Sequence, residues 1–203
     1  MENTNSSIKK NSELRSDARM QLSGNWKTAI LLCVIYSIIT GSLNYFVPYV
    51  GYVITLILAG PFLLGFTACF MHLVRREPFR FENLFDGFKR FAPAFLLELL
   101  IYLFVALWSI LLIVPGIIAA LRYSMSFYIL NDNPEMSAME ALNASKEMMK
   151  GYKLKLFWMS LFFLGFMILS VVTLFIGMLW ITPYMQTSVG NFYQNLKENQ
   201  KSL

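Results

Sequence analysis

The longest stretch without a charged residue runs from Leu156 to Leu196, 41 residues that include no Lys, Arg, Asp or Glu. A helix needs about 20 apolar residues to cross the roughly 30 Å hydrocarbon core of a bilayer, so this stretch is long enough for two crossings. Of the 203 residues in the chain, 57% are hydrophobic and only 14% are charged, whereas about a quarter are charged in an average soluble domain. We therefore predict an all-α, polytopic integral membrane protein that forms a single domain over residues 1–203.

Hydropathy along the chain predicts six transmembrane helices. The expected spans are about 28–46, 50–74, 94–114, 116–131, 154–176 and 178–195. The short connections at 46–50, 113–117 and 175–179 carry no charge, and each contains a Pro or Gly that can interrupt a helix. We therefore expect three helical hairpins, joined by longer polar segments.

All basic residues except Arg122 lie at the ends of the predicted spans or outside them. Of 17 Lys and Arg, five lie in residues 1–27, five in 75–91, four in 132–155 and two after residue 195. Cationic side chains near spans stay on the cytoplasmic face. We therefore predict that both termini, including an amphipathic N-terminal segment at 1–27, are cytoplasmic. The net charge of +5 then reflects topology, so the expected partners are the lipid bilayer and its anionic headgroups at that face, and no nucleic acid.

Three similar segments precede the hairpins. Gly24, Gly87 and Gly151 are spaced by 63 and 64 residues, and each is followed by an aromatic residue and a base before an apolar run. Repeats at such a period can arise by internal duplication. Alternatively, any three hairpins need an interfacial anchor at each entry, and aromatic and basic side chains suit the headgroup level in both cases. The sequence leaves both explanations open.

The segment before Gly151 shows the pattern most clearly. Ser137 and Glu140 have the spacing of a capping box, which predicts a helix start. Gly151 would end this helix in a left-handed conformation. The apolar face consists of Ala138, Ala141, Leu142, Ser145, Met148 and Met149. The corresponding apolar residues of the other two segments are Leu14, Ala18 and Leu22, and Leu84, Phe85 and Phe88. We expect these helices to lie at the interface with the apolar face in the acyl boundary.

Two ionisable residues lie inside the predicted spans, where charge is costly and often functional. Glu98 is about one turn from the expected cytoplasmic end of its span, so it is either an interfacial carboxylate or a functional group. Arg122 follows the Pro115–Gly116 turn by six residues, or about 9 Å. A depth difference of about 15 Å argues against a direct ion pair between them. Arg122 is expected either to bond carbonyls near the turn or reach outward, or else to contact a substrate.

The last predicted span carries polar residues near its cytoplasmic end, among them Gln186, Thr187, Ser188 and Asn191. One interpretation is that they form hydrogen bonds between helices. The other is that they line one wall of a polar cavity. Gln186 and Asn191, with Arg122 and Glu98, are therefore the candidate intramembrane polar residues.

An enzyme is not predicted. The chain has one histidine, His72, and scattered carboxylates, which cannot form a His-rich metal site or a Ser-His-Asp triad. No phosphate-binding or dinucleotide-binding glycine motif is present. We therefore expect no catalytic, cofactor-binding or metal-ligating residues and no cofactor.

The most specific stretch is "VPGIIAALRYSMSFYILNDNPEMSAMEALNASKEMMKGYKLKLFWMSL", which combines a Pro-Gly turn, an Arg in the next span, an Asn-Pro loop and a basic, aromatic helix entry. In these features the chain resembles the uncharacterised bacterial integral membrane proteins grouped as domain of unknown function 975, over nearly its whole length. The pattern is also similar to membrane domains attached to some bacterial glycerophosphodiester phosphodiesterases, but their catalytic domain is absent. The resemblance implies a multi-pass protein of a bacterial plasma membrane, with no established activity or site residues.

Two functional hypotheses follow. The first is a non-enzymatic membrane module that binds a partner protein or lipid, which the basic amphipathic segments favour. The second is a small transporter or exporter subunit for a small molecule or peptide, which the intramembrane polar residues and the Pro and Gly near the spans favour. A water-filled cavity lined by Arg122 would support transport, whereas a solid apolar bundle would support the module. A protein partner or a homo-oligomer is compatible with either hypothesis.

Overall fold

A computed structural model describes residues 8–46, 50–78 and 81–201. Within these ranges the chain is helical and contains no strand. The α-helices are α1 (Asn11–Leu22), α2 (Trp26–Phe46), α3 (Val50–Val74), α4 (Phe91–Leu111), α5 (Ile113–Tyr123), α6 (Ser126–Asp132), α7 (Ala138–Met148), α8 (Lys153–Ser170) and α9 (Met178–Lys201). A 3₁₀ segment, Phe81–Arg90, leads directly into α4, and a short one, Val171–Thr173, follows α8. The predicted all-α class is confirmed.

Several of these helices have the length and apolarity that a membrane crossing requires. In the described residues, four stretches qualify, namely Val53–Val74, Phe81–Leu111, Ile113–Asp132 and Lys153–Thr173. The bent pair of α1 and α2, with a bend of 98°, would add a fifth if it counts as one span. The predicted last span, now within α9, does not qualify because its polar side chains lower the mean hydropathy. These helices are compatible with a membrane protein.

Helices end and begin close to two of the three predicted turns, although the breaks do not all fall at the predicted residues. Only Leu112, which has an extended backbone, separates α4 from α5. Pro115 therefore lies in the first turn of α5, where helix N–H groups have no intrahelical partner and Pro is tolerated. The N–H of Gly116 donates to the carbonyl of Leu112 at 3.3 Å. Close to the third predicted turn, at 175–179, Leu174 and Phe175 have positive φ angles of 49° and 65°. The first predicted turn falls mostly on residues 47–49, which lie outside the described residues.

The amphipathic helix α7 has the predicted ends. The backbone N–H of Ser137 donates to Glu140 Oε2 at 2.8 Å, and the N–H of Glu140 donates to Ser137 Oγ at 3.3 Å, which forms the capping box. Gly151 has φ of +79°, the conformation that glycine adopts at low cost. All six predicted apolar-face residues are buried. They face α4, α5 and α6, so the expectation that this face lies in the acyl boundary is wrong: it is covered by protein.

The three amphipathic segments occupy equivalent positions in the bundle. The 3₁₀ segment Phe81–Arg90 packs against α3, α7 packs against α6, and α1 packs against α9. For α1 and the 3₁₀ segment the partner is the second helix of a consecutive pair in contact, α8 with α9 and α2 with α3, whereas α7 also packs against α4 and α5, the pair that precedes α6. The order is cyclic, because the first segment of the chain packs on its last helix. We call this arrangement the cyclic packing.

Gly87 is required for a reason that differs from that of Gly151. A Cβ atom on Gly87 would lie 1.9 Å from the carbonyl oxygen of Pro61 in α3. Likewise, a Cβ atom on Gly65 would lie 1.9 Å from the carbonyl oxygen of Leu84. The 3₁₀ segment and α3 therefore meet backbone to backbone, and no side chain larger than hydrogen fits at either glycine.

The surface of the bundle is divided between a polar end and an apolar belt. The C-terminal ends of α3, α6 and α9, with α1 and α7, form the polar end. Exposed large apolar side chains cluster where α4 meets α5 and where α8 leads to α9. They include Ile110, Leu111, Leu112, Ile113, Val114, Ile168, Leu169, Val172, Leu174 and Phe175. A soluble monomer rarely exposes so continuous an apolar surface, so the belt suits contact with lipid.

Candidate functional site

The polar residues predicted inside the apolar runs do not converge on one site. Glu98 is buried in α4, and its polar neighbour is the hydroxyl of Tyr102, one turn later. Tyr36 of α2 lies close enough for an electrostatic interaction with the same carboxyl group. No ion pair joins Glu98 to Arg122 in the described residues. Each of the two therefore has its own environment.

Arg122 lines a small cavity of about 200 Å³. The rest of the lining is apolar and consists of Trp108, Pro115, Ile118 and Ala119. The carbonyl of Arg122 accepts a hydrogen bond from Ser145 Oγ of α7 at 2.9 Å. The break between α4 and α5 falls at Leu112, ten residues before Arg122. Along the helices this is a rise of about 15 Å, rather than the 9 Å or so expected from a turn at Pro115 and Gly116. Arg122 therefore lies closer to the polar end than the sequence indicated.

The polar residues of α9 mainly bond within the protein. The hydroxyls of Thr187 and Ser188 each donate to a carbonyl one turn earlier at 2.8 Å. Asn191 exchanges two hydrogen bonds with Gln21 of α1, at 2.7 and 2.9 Å. For Asn191 the structure thus shows bonding between helices. Gln186 instead lines a mainly apolar groove of about 610 Å³ between α3, α5, α6, α8 and α9.

A buried charged group at the polar end joins three helices. The Asp132 side chain, only 7% exposed, accepts two hydrogen bonds from Arg75 Nη2 at 2.7 and 2.8 Å. It also accepts one from the Tyr193 hydroxyl at 2.8 Å and one from Lys197 Nζ. We call these four residues the Asp132 cluster. Since Arg75 follows α3, Asp132 ends α6, and Tyr193 and Lys197 belong to α9, one carboxylate fixes three helix ends together.

Neighbouring polar groups hold the end of α6 in the same place. Asn131 Nδ2 donates to the carbonyl of Leu64 at 3.0 Å and to Thr67 Oγ1 at 2.7 Å. Arg90 donates to the carbonyl of Leu130. Carbonyls in the last turn of a helix have no donor within the helix. These contacts fix the end of α6 against α3 and the 3₁₀ segment. In the described residues, no group of three His, Cys, Asp or Glu side chains could hold a metal ion.

The helix α1 is fixed across the ends of α8 and α9. The N–H of Lys9 donates to Asn195 Oδ1 at 3.0 Å. Lys155 Nζ donates to the carbonyl of Ile8 at 3.0 Å, and Asn11 Nδ2 donates to the carbonyl of Lys155 at 2.8 Å. Burial of the face formed by Leu14, Ala18 and Leu22 completes the contact.

Two arginines of α1 that flank this buried face lie over aromatic rings. The Arg15 guanidinium carbon is 3.8 Å from the centroid of the Phe162 ring in α8. The Arg19 guanidinium carbon is 6.0 Å from the centroid of the Tyr184 ring in α9. Both distances are within the range of cation–π attraction. This face, with its two bases and two rings, is the most distinctive candidate binding site in the described residues.

Comparison with known proteins places the chain in a family. A family model described as "Protein of unknown function (DUF975)" matches residues 1–117 and 110–200, nearly the whole chain. The chain belongs to the DUF975 family. The resemblance noted from the sequence is thereby confirmed, and the family description assigns no activity. No curated protein and no solved structure matches this DUF975 protein.

Sequence reasoning on this DUF975 protein missed both the Asp132 cluster and the arginine pair. The signal for the cluster is that a charged residue lies within two positions of the end of the second predicted span of each hairpin: Arg75, Asp132 and Lys197. Such residues are usually assigned to solvated loops, so their burial was not foreseen. The signal for the arginine pair is the i, i+4 spacing of Arg15 and Arg19, which places both on one helix face.

Proposed function

We propose that this DUF975 protein is a non-enzymatic, multi-pass module of a bacterial plasma membrane that binds anionic lipid at its cytoplasmic end. In this proposal α2, α3, α4, the α5–α6 pair, α8 and α9 are six spans in three hairpins. Both termini and the polar end face the cytoplasm. The distribution of bases supports this orientation, since 15 of 17 Lys and Arg lie outside the predicted spans and Lys155 is the second residue of one.

The observation that carries the proposal is the way polar groups are arranged within the bundle. Most of the buried polar side chains bond locally or join helices, as Asn191 and Asp132 do, although the buried Ser126 hydroxyl has no partner in the described residues. The core between the helices is otherwise filled by apolar residues such as Leu64, Phe127 and Phe192. A transport pathway needs polar groups that converge on a continuous cavity. Dispersed, internally bonded polar groups instead favour a module whose contacts are made at its surface.

The alternative, a small transporter or exporter subunit, draws its support from Arg122. This residue lines a cavity, and among the described residues its guanidinium has no hydrogen-bond partner. The cavity is small, about 200 Å³, and its other lining residues are apolar. Such a cavity does not provide the water-filled pathway that transport would require. The module is therefore the better-supported proposal.

The orientation can be tested by cysteine labelling in intact cells. A variant without the two native cysteines would carry Val172→Cys in the exposed turn after α8 or Asn143→Cys on the exposed face of α7. A membrane-impermeant maleimide should label residue 172 from outside and residue 143 only after the membrane is opened. The reverse pattern would refute the proposed topology.

Lipid binding can be tested with the purified full-length chain. We expect a higher midpoint of thermal unfolding in phosphatidylcholine vesicles that contain phosphatidylglycerol than in phosphatidylcholine alone, because a ligand that binds only the folded state stabilises it. Equal midpoints in the two lipids would refute the lipid-binding proposal and leave a protein partner as the next candidate.

A further inference from the structure

We propose that Arg15 and Arg19 form a site for the phosphate group of one anionic phospholipid, in the angle between α1, α8 and α9. The proposal deepens the function proposed above and rests on it, because it assumes that the polar end faces a lipid headgroup layer. It names the residues, the chemical group and the place of binding. Three observations on the described residues carry it.

The first observation is that the arginine pair lacks an acidic partner. Several other bases in the described chain form ion pairs with carboxylates: Lys9, Arg75, Lys89, Lys150 and Lys197. Neither Arg15 nor Arg19 does so in the described ranges. The nearby carboxylate of Asp17 is bonded to Lys9 at 2.9 Å. Two like charges one helix turn apart repel each other, so an anion bound between them would stabilise the arrangement.

The second observation is how the rings orient the guanidinium groups. A guanidinium that lies over an aromatic ring uses its face for the contact, while its N–H donors point outward in the plane of the group. The Arg15 guanidinium carbon is 3.8 Å from the Phe162 centroid, and that of Arg19 is 6.0 Å from the Tyr184 centroid, at the outer limit of such contacts. These contacts leave the N–H donors of both groups free. Guanidinium donors bind phosphate oxygens in pairs. Two such groups on adjacent turns, about 5–6 Å apart at Cβ, can bind the two free oxygens of one phosphodiester.

The third observation is the depth of the site. Phe162 is seven residues beyond Lys155 in α8, and Tyr184 is seven residues before Asn191 in α9. Each ring is therefore about 10 Å further from the polar end than the residue that contacts α1. This agreement places both guanidinium groups below α1, near the boundary between headgroups and acyl chains. A lipid phosphate already occupies that region, whereas a free anion would have to leave bulk water.

The neighbouring surface suits the rest of a lipid molecule. On α8, Trp158, Leu161 and Phe166 are exposed around the position of Phe162. They offer apolar surface for an acyl chain, and an exposed Trp suits the interface. The arginine pair would thus bind the headgroup, while the α8 surface contacts the chain below it.

The experiment compares full-length variants in nanodiscs that contain phosphatidylcholine and phosphatidylglycerol. Native mass spectrometry would measure the ratio of the two lipids retained after release from the disc. The test variant is Arg15→Gln with Arg19→Gln. The matched control, Lys10→Gln with Lys27→Gln, removes the same charge from exposed positions at the two ends of the same segment. We expect the test variant to lose the preference for phosphatidylglycerol by about tenfold or more, and the control to retain it.

Other outcomes separate the possible failures. If the wild-type chain shows no preference for phosphatidylglycerol, the proposed function itself fails. If the wild type shows a preference but the test variant retains it, or the control loses it equally, the site is wrong and the general lipid binding stands. If millimolar inorganic phosphate displaces the retained lipid as readily as added phosphatidylglycerol does, the ligand is free phosphate and the lipid assignment is overturned.

A second variant keeps the test decisive if the glutamine pair does not fold. Arg15→Lys with Arg19→Lys keeps both charges but removes the planar donor pairs that bind phosphate oxygens. We expect its preference for phosphatidylglycerol to fall several-fold below that of the wild type. An unchanged preference in the lysine variant would refute the two-guanidinium geometry.

Discussion

Replacement of Asp132 by Asn tests the polar end of the bundle most directly. Asn has nearly the same shape as Asp but carries no charge, so Arg75 and Lys197 would be left beside a neutral amide. Removal of one partner from a fully buried ion pair costs about 3–5 kcal/mol. Here the side chains of both cations are 29% exposed, so water can compensate part of the loss. We therefore expect a cost at or below the lower end of that range, about 2–3 kcal/mol.

This cost can be measured by thermal unfolding in detergent, followed by tryptophan fluorescence at one fixed heating rate. For a chain of this size, about 1 kcal/mol shifts the midpoint by roughly 2–4 °C, so Asp132→Asn should lower it by about 4–12 °C. The matched control is Asp17→Asn, which breaks an ion pair whose Lys9 side chain is 52% exposed. An exposed pair contributes about 0–1 kcal/mol, so the control should shift the midpoint by a few degrees at most.

A double-mutant cycle tests the contact between Arg75 and Asp132 directly. Once Arg75→Gln has removed the bidentate partner, Asp132→Asn should cost less than it does alone, because the two changes delete the same interaction. If the two effects simply add, or if Asp132→Asn behaves like the Asp17→Asn control, the Asp132 cluster does not stabilise the folded protein.

Three further predictions concern single positions. Gly87→Ala should prevent folding or lower stability by more than about 1–3 kcal/mol, because the new Cβ would lie 1.9 Å from the Pro61 carbonyl oxygen. The yield of folded monomer in size-exclusion chromatography measures this effect, and a normal yield would contradict the prediction. Gly151→Ala should cost only about 1 kcal/mol, because its φ is +79° but nothing lies within 4 Å of the new Cβ; a loss as large as that of Gly87→Ala would be inconsistent with the structure. Ser137→Ala should cost about 1 kcal/mol. Hydrogen bonds from Ser137 hold the pKa of Glu140 below its ordinary value. The contribution of Ser137 to the free energy of unfolding should therefore be complete above about pH 4.3 and decrease as the pH falls through the lower folded-state pKa. A contribution that grows in acid would exclude the capping box.

The parts of the fold that the sequence predicted well depend on short-range spacing. The capping box requires only that Ser137 and Glu140 lie three residues apart, and the buried face of α7 follows from helical periodicity. Both were found as predicted. The partner of that face could not be predicted, because an apolar helix face has the same pattern whether lipid or protein covers it.

The limits of the spans were harder to predict because apolar composition does not determine where a helix breaks. Pro115 and Gly116 suggested a turn, but a proline in the first turn of a helix breaks no hydrogen bond. Pro115 can therefore lie inside α5, and the break between α4 and α5 is at Leu112. The break at Ser124 and Met125 divides the predicted fourth span into two helices, and no residue there signals it.

The candidate site residues show the same limit. The hydropathy pattern identified Glu98, Arg122, Gln186 and Asn191 as unusual, and the structure leaves them in separate environments. The Asp132 cluster depends on residues 57 and 65 positions apart in the chain, a relation that no local pattern contains. The position of Arg15 and Arg19 over rings of α8 and α9 is likewise a consequence of the cyclic packing.

The cyclic packing also sets the order in which this protein can be completed during synthesis. Much of the binding surface for α1 belongs to α9, through Asn191 and Asn195, and ribosomes produce α9 after α1 to α8. The part of α1 around Leu14 must therefore wait until α9 has been made, whereas Leu22 packs with residues of α2 and α3 that are made earlier. Nascent chains that stop before α9 would keep Leu14 accessible to chaperones and proteases, so the cyclic packing is complete only once α9 has been synthesised.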